Sequence, residues 1–289
     1  MSCRLWVGTA LCCDPMLIRD DFLDDVGSGL GEREFVFGNR GWTLSDVAIV
    51  SGGGNGIGRS VCLRYSRGGI SVVILDHDGE GAERVKGEVV RAGGSAEVYL
   101  ADVRNAGEIK RVVAEVFRRY GKIDILANLI GGSIHVKSIE ELSWTEWKEV
   151  LDVNLKGTFL VCREVAPFMI GQGRGRIVNT ASNYGLTGCA LRTPYSAAKA
   201  GVIGFSKSLA QELAPYGVLV NLVAPGPTDT LRIMSRSTPQ ERERRGQEIP
   251  IGRTAKPEEI AEAFYFLVGP ESAYMTGQTL HVNGGLVMP

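Results

Sequence analysis

The sequence predicts an α/β protein built on a doubly wound, mostly parallel sheet in a three-layer α/β/α arrangement. Three observations carry that expectation. Short, continuous apolar runs alternate with longer helical stretches, a glycine-rich turn follows the first run, and polar residues equipped for chemistry fall where the runs end. Apolar runs without polar alternation suit strands covered on both faces, and the helices between them supply the cover. Right-handed crossovers then put ligands beyond the carboxyl ends of the strands.

The elements follow in order. "DVAIVSG" (46–52) is the first strand, and a helix runs from the glycine turn to about Arg67. "SVVILDHD" (71–78), a helix over 80–92 and "AEVYLADV" (96–103) come next. A helix over 107–120 leads to "KIDILANLIGG" (122–132), and a long amphipathic stretch covers 143–170. "GRIVNTAS" (175–182) precedes a helix over 194–214, with Thr193 expected as its N-cap and Pro194 as its first residue. "GVLVNLVAPG" (217–226) and "TLHVNGG" (279–285) complete the sheet. The polar segment 231–250, with Arg232, Arg236, Arg242, Arg244 and Arg245, is expected to be a lid over the substrate; the arginines suit a carboxylate, the phosphates of a thioester carrier, or simply a solvated face.

Composition narrows the function classes. The 289 residues carry 32 Lys and Arg against 33 Asp and Glu, so the charge balance gives no footprint for nucleic acid. Thirty-eight glycines, about twice the ordinary share, come without a repeat and must serve turns and close backbone approaches. Six cysteines (Cys3, Cys12, Cys13, Cys62, Cys162 and Cys189) show no metal-ligand spacing, which suits a reduced, cytoplasmic chain without metal. No apolar run is long enough to cross a bilayer. Residues 1–42 lack the features of a secretory signal and are expected to be a loosely ordered extension, with one catalytic domain over 43–289.

Two constellations carry chemistry. "SGGGNGIGRS" (51–60) leaves a strand and opens a helix: Gly52 permits the tight turn, Gly56 lets backbone approach a pyrophosphate, and Gly58 allows close helix packing. The helix N-terminus offers unpaired N–H groups to phosphate. Asp76, ending the second strand, can accept both adenosine ribose hydroxyls and repel a 2′-phosphate, and Asn55 adds no positive charge, so NAD is expected over NADP. Asp102, ending the third strand, is placed to accept from the adenine amino group. In "TPYSAAKAG" (193–201), Tyr195 and Lys199 stand at i and i+4, neighbours on one helical edge among residues with little side chain. Ser182 ends a strand just before them, and Asn154 lies in a helix interior, where asparagine is unfavourable without a specific partner.

Together with "NLVAPG", these residues closely resemble the classical short-chain dehydrogenase/reductase family, over about residues 43–289. The resemblance implies a Rossmann-type fold and an oxidoreductase in which Asn154, Ser182, Tyr195 and Lys199 are catalytic. Tyr195 would exchange the proton, its phenol made more acidic by the Lys199 ammonium and the cationic nicotinamide. Ser182 would hold the substrate oxygen, Lys199 would grip the nicotinamide ribose, and Asn154 would keep a water near Lys199. Ile57 in the turn, Val103 beside Asp102, Asn128 and Gly131 after the fourth strand, and Pro225, Gly226, Thr228 and Thr230 after the sixth would contact the cofactor. Leu129 and Ile130 replace the middle residues of the family's Asn-Asn-Ala-Gly stretch, and Asn283 stands where the family usually has Asp. His135 and Tyr184 are candidate substrate contacts. The expected reaction interconverts a secondary alcohol, such as a cyclic alcohol or diol, and a ketone with NAD. Its alternatives are an NADPH-dependent 3-oxoacyl-thioester reductase and a non-catalytic dinucleotide sensor. The family also implies a homodimer or homotetramer.

Overall fold

A computed structural model describes residues 46–235 and 237–289; the extension expected over 1–42, and Arg236 of the lid segment, lie outside the described residues. Seven parallel strands form one sheet in the order β3-β2-β1-β4-β5-β6-β7. They are β1 (Val47–Ser51), β2 (Ser71–Asp76), β3 (Ala96–Leu100), β4 (Ile125–Asn128), β5 (Gly175–Thr180), β6 (Val218–Pro225) and β7 (Thr279–Val282). The strand order reverses between β1 and β4, the switch point where a doubly wound sheet opens a crevice for ligand. The predicted fold class is the observed one.

Alternation along the strands sorts side chains to the two faces. Val47 and Ile49 join one core with helices α3 (Ala106–Tyr120) and α5 (Gly157–Gln172) and the end of α7 (Thr193–Leu213). Ala48 and Val50 join the other with α1 (Gly56–Arg67), α2 (Gly79–Arg91) and α10 (Pro257–Val268). Each fully buried aliphatic side chain contributes roughly 1.5–3 kcal/mol to this three-layer packing.

Helix ends explain several boundaries. Asp78 caps α2 by accepting from Gly81 N at 3.0 Å, Asn105 caps α3, and Ser143 with Glu146 forms a capping box on α4 (Trp144–Leu151). At α7 the expected register shifts by one: Arg192 is the N-cap, and Thr193 and Pro194 are the first helical residues. Proline is tolerated there because first-turn N–H groups have no intrahelical partner.

Two other departures bear on the site. The long helix expected over 143–170 is interrupted by a π turn, Asp152–Lys156, that holds Asn154. The segment 231–250 folds into two helices, α8 (Leu231–Met234) and α9 (Pro239–Gln247), the latter opened by Pro239 and a Thr238–Glu241 capping box. The short α6 (Tyr184–Thr187) packs on α7 through Gly185, where a Cβ would come within 2.8 Å of the Lys199 carbonyl carbon.

Candidate active site

The cleft opens over the carboxyl ends of β1 and β4. At one end the turn after β1 is made almost wholly of backbone. A Cβ at Gly58 would strike the Gly52 carbonyl oxygen, and Gly52 itself takes a left-handed φ of 75° beneath the Leu129 carbonyl. Gly56, at φ 51°, faces the Thr230 side chain across the cleft, with 3.2 Å between a Cβ there and the threonine methyl. Unlike α2, α3 and α4, helix α1 has no side-chain cap and no acid in its first turn. Asn55 would be its cap, but its Nδ2 donates to Asp78 at 3.2 Å and its Oδ1 accepts from Arg84 at 3.2 Å. The first-turn N–H groups of α1 are therefore left facing the cleft, an arrangement that fits a pyrophosphate.

Asp76 is only 8% exposed, and its carboxylate is already engaged. Oδ2 accepts from Gly54 N at 2.9 Å and Oδ1 from Asp78 N at 3.0 Å, with His77 Nδ1 3.2 Å from Oδ1. Asp102 is held by Arg104 through bonds of 2.7–3.0 Å, which keeps its carboxyl below the usual range. Val103 packs toward Gly157.

In the middle of the crevice a buried polar chain crosses the sheet. Ser51 Oγ donates to Asn128 Oδ1 at 2.6 Å, Asn128 Nδ2 to Asn179 Oδ1 at 2.8 Å, and Asn179 Nδ2 to Ser206 Oγ at 2.9 Å. Asn128 thus braces β1, β4 and β5 by its side chain. Asn154, fully buried, reads both backbone groups of Gly132: Oδ1 accepts from its N–H at 3.0 Å and Nδ2 donates to its carbonyl at 3.2 Å. Gly131 has no room for a Cβ, which would strike Asn154 Oδ1. The local partner expected of Asn154 is therefore the loop after β4, and its main-chain carbonyl accepts from Thr158 Oγ1 at 2.8 Å.

Ser182, 9% exposed, follows β5, and Tyr195 and Lys199 come from α7. Lys199 is 2% exposed; its Nζ donates to the Thr180 carbonyl at 2.8 Å and to the Ile130 carbonyl at 3.4 Å, and lies 5.8 Å from the centre of the Tyr195 ring. Burial, with the nearby Arg232 charge, brings the Lys199 ammonium down to about 7. Burial raises the Tyr195 phenol above the ordinary value, and the Ser182 hydroxyl, Arg232 and Arg192 only partly offset that. Tyr184 meets Tyr195 edge to face, ring centres 6.5 Å apart. His135 is turned to α4 instead, with Nε2 2.9 Å from Glu149 Oε2.

Around the far side, Pro225 ends β6, Gly226 packs against Asn283, and Thr228 Oγ1 donates to the Gly226 carbonyl at 3.0 Å. Thr230 caps α8. The small residues of α7 serve different ends. Gly201 makes room for Leu155 and Ala198 is buried, whereas Ala197 and Ala200 are exposed.

The model of the family described as "Enoyl-(Acyl carrier protein) reductase" matches residues 52–287. The chain is a classical short-chain dehydrogenase/reductase. A 3-oxoacyl-[acyl-carrier-protein] reductase of Thermotoga maritima is 39% identical over 84% of this chain and 98% of its own. An acetoacetyl-CoA reductase of Allochromatium vinosum is 40% identical over 85% of this chain and all of its own. Among solved structures, a variant of actinorhodin polyketide ketoreductase with NADPH has a TM-score of 0.79 and 38% identity, covering 83% of this chain and 97% of the other. This short-chain dehydrogenase/reductase is therefore an NAD(P)-dependent oxidoreductase acting on carbonyl and alcohol groups.

These relatives overturn the expectation of NAD. They are reductases of 3-oxoacyl and acetoacetyl thioesters, and the solved ketoreductase carries NADPH. The carboxylate on which the expectation rested is also less available than its position suggests. Asp76 faces the turn and accepts two backbone N–H groups, so less of it remains to select a ribose diol. Two cations stand by the turn: Arg59, paired with Glu88, and Arg84, whose guanidinium reaches Asn55 at 3.2 Å and the Gly54 carbonyl at 3.4 Å. Nothing in the local sequence marks Arg84, because a residue of α2 meets the turn only once the helix is packed. No described helix is long and apolar enough to cross a membrane.

Proposed function

We propose that the protein is an NADPH-dependent reductase of a 3-oxoacyl thioester. The observation that carries this reading is the gathering of Ser182, Tyr195 and Lys199 beyond the end of β5, in a chain 39–40% identical to thioester reductases. A tyrosine phenol is protonated near neutrality and can give that proton to a carbonyl oxygen, as reduction requires. The names of the relatives support the thioester over the secondary alcohol or diol expected from sequence.

On this reading, the glycine turn with Gly52, Asn55, Gly56, Ile57 and Gly58 would hold the pyrophosphate on the N-terminus of α1. Arg84 would meet the 2′-phosphate, Asp102 and Val103 the adenine. Asn128, Gly131, Pro225, Gly226, Thr228 and Thr230 would border the nicotinamide half. The nicotinamide, when bound, supplies the hydride that adds to the oxo carbon. Ser182 Oγ and the Tyr195 hydroxyl hold the oxo oxygen, and Tyr195 delivers the proton that completes the alcohol. Lys199, between Thr180 and Ile130, then favours the phenolate left behind. Asn154 keeps the Gly131–Gly132 loop in register with these groups.

The test is NADPH consumption with acetoacetyl-CoA, run against oxidation of cyclic alcohols and diols with NADP. Reduction of the thioester at a kcat/KM at least about tenfold above any alcohol oxidation is expected; the reverse order would sink the reading. The family's oligomer belongs to the same proposal. Phe159 of α5, 41% exposed, pairs edge to face with Phe205 of α7 and gives those helices an apolar outer surface. A dimer or tetramer is expected by light scattering.

A further inference from the structure

Two arginines reach the loop after β4, where the substrate would enter. Arg232, on α8, crosses the cleft to the loop after β4, its Nη1 3.4 Å from the Gly131 carbonyl oxygen. It lies so close over Gly132 that a Cβ there would strike the guanidinium. Arg192, the N-cap of α7, donates from Nη1 to Ser133 Oγ at 2.7 Å on the same loop. Several other guanidinium groups pair with acids: Arg59 with Glu88, Arg64 with Glu262, Arg104 with Asp102, Arg119 with Glu97 and Arg253 with Glu259. Among the described residues, Arg232 and Arg192 have no carboxylate within ion-pair distance.

An arginine presents five N–H donors in a rigid fork, and Arg232 engages one long bond with them. Its charge also helps to lower the pKa of the buried Lys199 amine. Arg232 is exposed, so an oxygen arriving between α8 and the β4 loop can take up donors otherwise left to solvent. The geometry limits which oxygen. Ser182 and Tyr195 take the oxo oxygen, and Arg232 sits across the cleft from them, beside Gly131 and Gly132.

We infer that Arg232 is a specificity-determining residue that binds the C1 oxygen of a 3-oxoacyl group while Ser182 and Tyr195 hold the oxygen at C3. The inference rests on the function proposed above and names the part of the substrate that is read. The two oxygens of such a group are 1,3-related and rotation about the bonds to C2 lets them point to opposite sides, so two donor sets on facing walls can hold both and fix which face meets the hydride. A thioester carbonyl and a free carboxylate both offer the C1 oxygen, and a plain ketone offers none. Arg192, fixed to Ser133, keeps the loop under Arg232 in place and adds to the positive field that draws an acyl oxygen in.

The experiment compares Arg232→Met and Arg232→Lys with the wild-type chain, using NADPH and three substrates. These are the N-acetylcysteamine thioester of acetoacetate, which carries no phosphate; acetoacetate; and cyclohexanone. Arg232→Met is expected to lower the preference for each 3-oxo substrate over cyclohexanone, as a ratio of kcat/KM, by about tenfold or more. Arg232→Lys should recover part of that ratio, since it keeps the charge and loses the fork. A loss of equal size with all three substrates, or no loss, overturns the inference, because Arg232 would then act only through its charge on Tyr195 or not at all. Calorimetry with 3-hydroxybutyrate provides a second reading that needs no turnover. Binding should weaken about fivefold in Arg232→Met, and unchanged binding also overturns the inference. If wild-type enzyme reduces cyclohexanone and acetoacetate but not the thioester, the proposed function fails while the Arg232 comparison is still decided on acetoacetate.

Discussion

At the α1 end of the cleft, a Cβ on Gly58 would collide with the Gly52 carbonyl; at the α8 end, Arg232 and Arg192 extend long charged side chains over the β4 loop. On the proposed reading, the first end would hold its ligand with peptide N–H groups in a fold-determined turn. The second would do so with side chains that form no ion pair among the described residues. Peptide groups do not titrate and cannot swing away, so the cofactor end should be intolerant of added volume and indifferent to pH. The substrate end should tolerate volume and respond to charge. Tyr195 and Lys199 lie on the seam between them.

The largest effect is expected on that seam. Tyr195→Phe removes the only atom proposed to give a proton and leaves the turn untouched. Turnover should fall by about a thousandfold while NADPH affinity, read from its fluorescence, stays within about threefold. Activity retained within tenfold would break the division, because proton delivery would then lie elsewhere.

Gly58→Val probes the other side. The side chain has no space against Gly52, so the turn must open or α1 must move away from it. NADPH affinity should drop by about a hundredfold, with the preference among substrates unchanged. A variant that binds NADPH normally would show that the turn is pliable and that the contrast between the two ends is wrong.

What could be read from sequence follows the same division. Glycine at 52, 56 and 58 answers a local demand of the turn, and local demands are written in neighbouring residues. The strands were legible for the same reason, since β1, β2, β4 and β6 are continuous apolar runs. The alternation gives no separate element between 250 and 279, where the structure has α10. Pro257 and the acids Glu258 and Glu259 signal its start, as they do for helices generally. Long-range facts were not legible. The rise in the Tyr195 phenol comes from burial by elements distant in sequence, against a local expectation built on Lys199 four residues away. The engagement of Asp76 by Gly54 and Asp78, and the approach of Arg84, likewise exist only after α2 packs beside the turn. The cofactor expectation failed there because position at a strand end does not say which way a carboxylate faces.

Lys199 provides a smaller and more diagnostic test. Its folded value is about 7 and its ordinary value 10.5, so the unfolded chain binds more protons between those limits. Stability tied to this group therefore rises with pH across that window, and the burial penalty is fully present below about pH 7. Lys199→Met removes the penalty and also leaves the Thr180 and Ile130 carbonyls without their donor, a loss that does not depend on pH. The melting temperature of the variant minus that of wild type should consequently fall by about 5 °C between pH 6 and pH 10. A difference that stays flat across the range would mean the ammonium is not held as a buried charge.

The smallest effect belongs to Arg84, a cation at the backbone end. Arg84→Ala leaves Gly52, Gly56 and Gly58 in place and removes the guanidinium beside Asn55 and Gly54. NADPH affinity should weaken by about fivefold and NADH affinity by less than twofold, since only the former carries a 2′-phosphate for the arginine to meet. The ratio should shrink further at high salt, because the contact is near the surface and screened. Equal losses for both dinucleotides would place Arg84 in the architecture of the turn. Charge recognition at this end would then have to come from other residues, and the contrast with the arginine-lined substrate end would be complete.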